Sequence, residues 1–97
     1  MKVYISGKIS GLPYDEVERN FKEAEIRLQE EGYETVNPLD SGLPVESTWK
    51  EHMKADIKML MDCDTIYLLK NWKDSVGATI EQKIAVMLNY DIIEQIK

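Results

Sequence analysis

The sequence predicts an α/β domain of three layers, in which a short parallel sheet lies between two layers of helices. Two observations lead to this fold class. Short apolar strands alternate with amphipathic helices along the 97 residues. The segment Asp64–Leu69 is almost wholly apolar, as expected for a strand that helices cover on both faces. We therefore expect a flavodoxin- or Rossmann-like sheet with strand order near 2-1-3-4, built as a single domain over residues 1–97.

The first half of the chain supplies two strands and one long helix. Strand 1 is predicted at Lys2–Ser6 and strand 2 at Tyr33–Val36, where Asn37-Pro38 ends it. Helix 1 is predicted from Tyr14 to Glu31, and Gly32 is a natural C-terminal stop. Its apolar side chains recur at steps of three and four residues, which predicts one buried stripe. The stripe consists of Val17, Phe21, Ala24 and Leu28.

The second half supplies two further helix–strand pairs. Helix 2 is predicted to begin near Glu46–Thr48 and to run to Asp62, before strand 3 at Asp64–Leu69. Helix 3 is predicted over Ala78–Asn89 and strand 4 over Asp91–Ile96. Inward positions are predicted at Trp49, Met53, Ile57, Leu60 and Met61 of helix 2, and at Ile80, Ile84, Met87 and Leu88 of helix 3.

Composition narrows the range of partners. Eighteen acidic residues against twelve basic ones give a net charge of −6 and no basic stripe, which argues against a nucleic-acid polymer. No apolar run approaches the ~18 residues of a membrane span. Because the sequence opens on a predicted strand, we expect no signal peptide. We expect a cytoplasmic protein with no membrane partner. A hydrophobic content of 43% makes a thin core, which favours a homodimer or a higher oligomer.

Metal and thiol chemistry find little support in the sequence. His52 is the only histidine and Cys63 the only cysteine, so no Cys/His cluster exists to bind zinc or iron. We expect no metal site and no cofactor. Cys63 cannot form an intrachain disulfide, and its place at the start of an apolar strand predicts a buried free thiol.

Two loops are expected to form one site. Ser6–Pro13 follows strand 1 and Asn71–Gly77 follows strand 3, the two strands between which the predicted order reverses. A phosphate or sugar could meet backbone N–H groups, hydroxyls and a positive charge in this loop, from Ser6, Gly7, Lys8, Ser10 and Gly11. The segment matches no nucleotide-binding glycine motif, and a plain turn explains it equally well.

Two acidic side chains are candidates for chemistry. Glu81 lies near the start of helix 3, where the helix dipole favours an ionised carboxylate of low pKa, suited to a nucleophile. The alternative is that it only complements the dipole. Asp56 lies beside the apolar stripe of helix 2, so it either lines a cavity or meets a partner there, or it reaches water from the rim.

The remaining candidates each have two interpretations. Tyr4 alternates away from its apolar neighbours in strand 1, towards either the crevice or the core. Trp72 could stack on a planar base or cover the core. Ser75 could contact a ligand or act only as an N-cap, and Gly77 lies in the turn that leads into helix 3.

Three segments in order resemble the nucleoside 2-deoxyribosyltransferase superfamily, which includes 2′-deoxynucleoside 5′-monophosphate N-glycosidases and short bacterial and phage domains. The first segment is Tyr4–Gly11, an opening strand and loop. The second is Asp56-Ile57 followed by Cys63–Ile66, a helix acid and an apolar strand. The third runs from Asp74 through Gly77 and Glu81 to Ala85, like the family's Gly-x-x-x-Glu turn into a helix.

The resemblance implies an activity and assigns roles. It implies cleavage or transfer of the N-glycosidic bond of a nucleoside or nucleoside 5′-monophosphate, with Glu81 attacking the sugar. Asp56 would assist the departing base and Tyr4 would orient the nucleophile. Ser75 would contact sugar or phosphate, and a serine there is closer to the monophosphate glycosidases. Lys8 departs from the small hydroxyl residue common in the glycosidases, yet it could still bind phosphate as a point charge.

Two other classes of function remain open on the sequence. One is a nucleotide-binding module without catalysis, which would gain thermal stability from a ligand without releasing a base. The other is a purely structural oligomer, whose melting temperature no nucleotide would change. In the leading interpretation, the partner is a small nucleoside or nucleotide.

Overall fold

The computed structural model describes residues 1–44 and 46–96. Along the chain, the elements are β1 (Lys2–Ser6), α1 (Tyr14–Glu30), β2 (Glu34–Val36), α2 (Trp49–Met61), β3 (Thr65–Leu68), α3 (Val76–Met87) and β4 (Asp91–Glu94). Short 3₁₀ segments at Pro38–Asp40 and Trp72–Asp74 lie in the loops before α2 and α3. None of the helices in these ranges is long and apolar enough to cross a bilayer.

The four strands form one parallel sheet in the order β2-β1-β3-β4, which confirms the predicted fold class and strand order. Tyr4 pairs with Val36 on one side and with Ile66 on the other, so β1 is a central strand. The strand order reverses between β1 and β3, and loops that leave their carboxyl ends meet at one edge of the sheet.

Helix α1 covers one face of the sheet with an apolar core. All four predicted stripe residues of the helix are buried, and Phe21 and Leu28 are the largest of them. They pack against Val3 and Ile5 of β1. Burying a large aliphatic or aromatic side chain contributes about 1.5–3 kcal/mol, so this face holds much of the fold's stability.

Helices α2 and α3 cover the opposite face. Their core joins Tyr4 of β1 to Leu60 and Ala85 of the helices, with Cys63 buried as a free thiol. A capping box fixes the start of α2: the Glu51 N–H donates to Thr48 Oγ1 over 3.1 Å, and the Thr48 N–H donates to the Glu51 carboxylate over 2.8 Å.

The inward face of α3 differs from the prediction. The buried residues are Ala78, Glu81 and Ala85, whereas Met87 is 81% exposed and Leu88 is 42% exposed. At 100° per residue, Met87 lies on the far side of the helix from these three. Small alanines let α3 approach the sheet closely around Glu81, and Ile80 and Ile84 are only half-buried.

Helix α2 differs at its ends. Met53, Asp56 and Leu60 form its buried face, but Trp49 and Met61 are more than half exposed. Trp49 lies on the same side of the helix as Met53, at the first helical residue, where the packed core gives way to a cavity. Met61 is turned well away from that side because of the helical period.

Candidate active site

Strand β1 and helix α3 together hold the carboxylate of Glu81. The Tyr4 hydroxyl donates to Oε2 over 3.0 Å, and the Ser6 hydroxyl donates to Oε1 over 2.7 Å. Tyr4 and Ser6 are two residues apart on a strand, so both side chains face the α3 layer. Glu81 is only 4% exposed, and each of its oxygens has one fixed hydroxyl donor.

The start of α3 is shaped to bring this carboxylate to the sheet. Ser75 is the N-cap, since its hydroxyl accepts from the Ala78 N–H over 3.1 Å. Gly77 lies so close to α2 that a Cβ added there would be 3.0 Å from the Met53 sulfur. Serine, glycine and alanine therefore let α2 and α3 converge above β1.

Asp56 is the second buried carboxyl group. It is 8% exposed on α2 and lines the same cavity as Glu81. Among the described residues, none donates a hydrogen bond to its carboxyl group. A polar group that is nearly buried and faces a cavity is free to bind a donor or a cation from a ligand.

Burial raises the pKa of both carboxyl groups. Desolvation raises the pKa of Glu81 to about 7; the hydroxyls of Ser6 and Tyr4 oppose this rise, and the charge of Asp56 adds to it. Desolvation likewise raises the pKa of Asp56 to about 6, against a lowering influence from His52. Burial, together with the charges of Glu81 and Asp56, also raises the pKa of Tyr4. Tyr4 therefore stays a hydroxyl donor.

The expectation of a low pKa for Glu81 is wrong. It relied on the dipole of helix 3, predicted to begin at Ala78, but α3 begins at Val76. Glu81 therefore lies in the second turn, where the influence of the dipole has weakened. Loss of water around a carboxylate with 4% exposure outweighs what remains of it.

A cavity of about 340 Å³ opens above these groups, within the size range of small-molecule sites. Tyr4, Asp56 and Glu81 are among the polar residues that line it. Apolar and aromatic side chains supply other parts of the wall, namely Tyr14, Leu39, Leu43, Trp49 and Met53. Hydroxyl groups also line it, namely those of Ser10, Ser41, Ser47 and Ser75. Such a cavity suits a ligand with a flat apolar part and a hydroxylated part.

The predicted binding residues are divided between the cavity and its surroundings. Gly7, Ser75 and Gly77 line the cavity. Ser6 does not line it, but its hydroxyl donates to Glu81, which does. A Cβ added to Gly7 would meet the Leu69 side chain at 2.4 Å, so only glycine fits between the loop and the core.

Lys8, Gly11 and Trp72 lie outside the residues that line the cavity. The Lys8 N–H donates to Asn71 Oδ1 over 3.0 Å and joins the two predicted loops. Gly11 has a φ of +88°, which suits glycine. The Trp72 ring packs on the α2/α3 core, and its Nε1–H donates to Glu94 over 3.3 Å at the β4 side.

Sequence reasoning missed much of the wall, including Tyr14, Trp49 and His52. The sequence predicts Tyr14 only as a helix start and Trp49 only as core, and it predicts no binding or catalytic role for His52. His52 precedes Asp56 by four residues, which puts both on one face of α2. This spacing could have identified His52 as a residue of the cavity wall. In the described part of the chain, no three His, Cys, Asp or Glu side chains group closely enough to hold a metal ion.

Solved structures with this fold include two 2-deoxyribosyltransferases. The enzyme from Bacillus psychrosaccharolyticus superposes with a TM-score of 0.73 at 17% identity, covering 97% of this chain and 71% of that one. The enzyme from Leishmania mexicana gives 0.72 at 18% identity, covering 96% of this chain and 62% of that one. The CMP N-glycosidase of Clostridium botulinum gives 0.66 at 18% identity, covering 97% and 70%.

The fold is thus that of the nucleoside 2-deoxyribosyltransferase-like proteins, in agreement with the resemblance carried by the three sequence segments. The chain spans less than two thirds of the Leishmania enzyme. Residues 1–94 match the family described as "Domain of unknown function (DUF4406)", and the chain belongs to that family. No curated protein matches it significantly in sequence.

Proposed function

We propose that this protein cleaves or transfers the N-glycosidic bond of a nucleoside or nucleoside 5′-monophosphate, with Glu81 as the nucleophile. The observation that carries the proposal is the pairing of two different carboxyl groups in one cavity. Glu81 is held by the Tyr4 and Ser6 hydroxyls, whereas Asp56 has no donor among the described residues. Structural neighbours that act as deoxyribosyltransferases or as a CMP N-glycosidase support the same class of reaction.

In the first step, a Glu81 oxygen attacks the anomeric carbon as the bond to the base breaks. The electron pair of that bond stays with the base nitrogen, and a proton from Asp56 neutralises the departing base. Positive charge develops on the sugar in the transition state, and the adjacent carboxylate stabilises it before forming a glycosyl ester. Tyr4 and Ser6 hold Glu81 in one orientation for this attack.

The two carboxyl groups need different protonation states, and their surroundings supply the difference when substrate is bound. Two hydroxyl donors and the developing charge on the sugar favour ionised Glu81. A base in the cavity removes water from Asp56 and favours its protonated form. Since the pKa of Asp56 is already raised to about 6, a modest further rise keeps it protonated near neutrality.

In the second step, an acceptor attacks the anomeric carbon of the ester and Glu81 leaves as a carboxylate. Asp56, now ionised, accepts the proton of the attacking group. Water as acceptor makes the protein a hydrolase, and a second base makes it a transferase. The rings of Tyr14 and Trp49 at the cavity suit stacking on the base, while Ser75 offers a hydroxyl to the sugar or its phosphate.

Base release tests the proposal. Nucleosides and their 5′-monophosphates are incubated with and without a second free base, and the products are separated by chromatography. Glu81→Gln keeps the shape of the side chain but removes the nucleophile, so we expect turnover to fall about a thousandfold or more. Glu23→Gln is the matched control because Glu23 is exposed on α1, and it should leave turnover unchanged.

The outcomes separate the possible functions. Release without added base, lost in Glu81→Gln, supports a hydrolase; a new nucleoside formed only with added base supports a transferase. Full turnover in Glu81→Gln rules out this nucleophile. Binding of one compound without release from any would instead favour a nucleotide-binding module.

We also propose that the protein is a homodimer. The apolar side chains of Val86, Met87 and Leu88 at the end of α3 are exposed, and so is that of Ile92 in β4. A second copy packed against this end of the domain would remove exposed apolar side chains from water. Sedimentation at micromolar concentration should give twice the monomer mass, and a monomer there would contradict the proposal. Met87→Lys should favour the monomer.

A further inference from the structure

The cavity has an unusual balance of charge. Asp56 and Glu81 both line it, and among the described residues of its wall there is no lysine or arginine. The ion pairs of the described chain join Lys2 to Glu34 and Lys22 to Glu25, away from these two carboxyl groups. Buried carboxylates without a counter-ion are unfavourable, and a ligand that brings a positive charge relieves this.

Asp56 is the group most available to such a ligand. Glu81 already accepts two hydroxyl hydrogen bonds, whereas Asp56 is 8% exposed and receives none from the described residues. It faces the cavity from α2, one turn after His52, which is the only basic side chain among the described wall residues. A positively charged ligand group beside Asp56 would therefore form an ion pair with a carboxylate that has no lysine or arginine partner in the described wall.

The aromatic side chains of the wall favour the same type of ligand. Tyr14 and Trp49 line the cavity while about half of each side chain is exposed, so part of each ring remains uncovered. The face of an aromatic ring attracts a cation, and tryptophan does so most strongly. A flat cationic ring can use both the aromatic surface and the Asp56 carboxylate.

We infer that the site prefers N-glycosides whose base carries a positive charge, such as pyridinium or N-alkylated purine nucleosides, over neutral nucleosides. The inference rests on the proposed function and narrows its substrate class. The same charge balance disfavours a 5′-phosphate, because two carboxylates repel it and no guanidinium or ammonium group in the described wall offsets that repulsion.

The chemistry of a cationic base changes the role of Asp56. When the glycosidic bond breaks, its electron pair neutralises the base, which leaves without needing a proton. Glu81 forms the ester, and attack of water then yields the free sugar, the Glu81 carboxylate and one proton, which Asp56 or solvent takes up. Ionised Asp56 therefore binds the charged substrate, whereas for a neutral base it must donate a proton.

A matched pair of probes tests the inference. Nicotinamide riboside carries a pyridinium ring, and benzamide riboside is its neutral carbon-linked isostere. Both are titrated calorimetrically into Glu81→Gln, which keeps the cationic riboside intact. We expect the cation to bind about tenfold tighter or more, a difference in line with one partly buried charge pair and a cation–aromatic contact. Adding Asp56→Asn should reduce the difference to less than about threefold.

Asp62→Asn in the Glu81→Gln background is the control, because Asp62 ends α2 in an exposed position and should leave the preference unchanged. Equal affinities for the two ribosides, or no binding of either at millimolar concentration, would overturn the inference. Release of base by the wild-type protein is measured separately. If the wild-type protein releases the base from neutral nucleosides and the two ribosides bind with equal affinity, the proposed function stands and the preference for a charged base is overturned. Charge-selective binding without release supports the preference and overturns the nucleophile.

Discussion

The two faces of the sheet are built from the same strand but follow different physical rules. Strand β1 presents Val3 and Ile5 to α1, and Tyr4 and Ser6 to α3. The α1 face has an apolar core. On the other face, the two hydroxyls reach the buried carboxylate of Glu81, beside a cavity. One face stabilises the fold, and that stability lets the other hold groups that are unfavourable to bury.

The largest expected effect on stability is on the α1 face. Leu28 is 1% exposed in the apolar core, and Leu28→Ala should lower the free energy of unfolding by about 2–5 kcal/mol through lost burial and a new cavity. Urea unfolding monitored by circular dichroism measures it. Ile26→Ala, at an exposed position of the same helix, should cost much less. If Leu28→Ala and Ile26→Ala lower the free energy of unfolding equally, the α1 face is not stabilised by the buried core described above.

Removing a carboxylate from the face covered by α2 and α3 should instead increase the free energy of unfolding. The pKa of Glu81 is raised to about 7 and that of Asp56 to about 6, so the folded state binds protons more tightly than the unfolded state. Their favourable contribution is full below about pH 4 and is lost as pH rises towards 7. We expect Glu81→Gln and Asp56→Asn each to raise unfolding free energy at pH 8 by about 1–3 kcal/mol.

The check is unfolding free energy measured from pH 4 to pH 8. The wild-type curve should fall with rising pH over this interval more steeply than those of the two variants, and all three should approach one another at pH 4. A wild-type protein that becomes more stable as pH rises, with variants that are weaker at pH 8, would contradict the account of this face.

Smaller effects are expected for the two hydroxyls. Tyr4→Phe and Ser6→Ala each remove one donor to Glu81 and should cost about 0.5–1.5 kcal/mol of stability. Because both hydroxyls lower the pKa of Glu81, each loss should move the acidic limb of the pH–rate profile to higher pH. Tyr33→Phe is the control on the α1 side. If the acidic limb is unchanged in both variants, the Tyr4 and Ser6 hydroxyls do not hold the Glu81 carboxylate as proposed.

The fold could be predicted because its signals are local and periodic. The stripe of α1 repeats over about three turns, and alternation of strands with helices restricts the connections to parallel pairing. Parallel pairing also predicts that the loops after β1 and β3 meet at one edge, and there Gly7 lines the same cavity as Ser75 and Gly77.

Other features depend on three-dimensional packing. A helical period cannot tell which side of α3 meets the sheet when small residues and a glutamate form the contact. The apolar pattern of helix 3 therefore predicts a buried Met87, whereas this residue is exposed. The pKa of Glu81 depends on residues some seventy-five positions away that cover it. Trp72 could have turned either way from its loop, and packing turned it towards Glu94.

In the proposed mechanism, Glu81 itself becomes covalently bonded to the sugar. The most direct measurement is acid quenching during turnover of an active substrate from the panel, then tryptic digestion and mass spectrometry. Glu81 lies in the peptide Asp74–Lys83, in which Asp74 is the only other acidic side chain. We expect the added mass of one sugar residue on Glu81 in this peptide, and we expect it to be absent in Glu81→Gln. Continued base release by Glu81→Gln, with no sugar on this peptide in either protein, would contradict it.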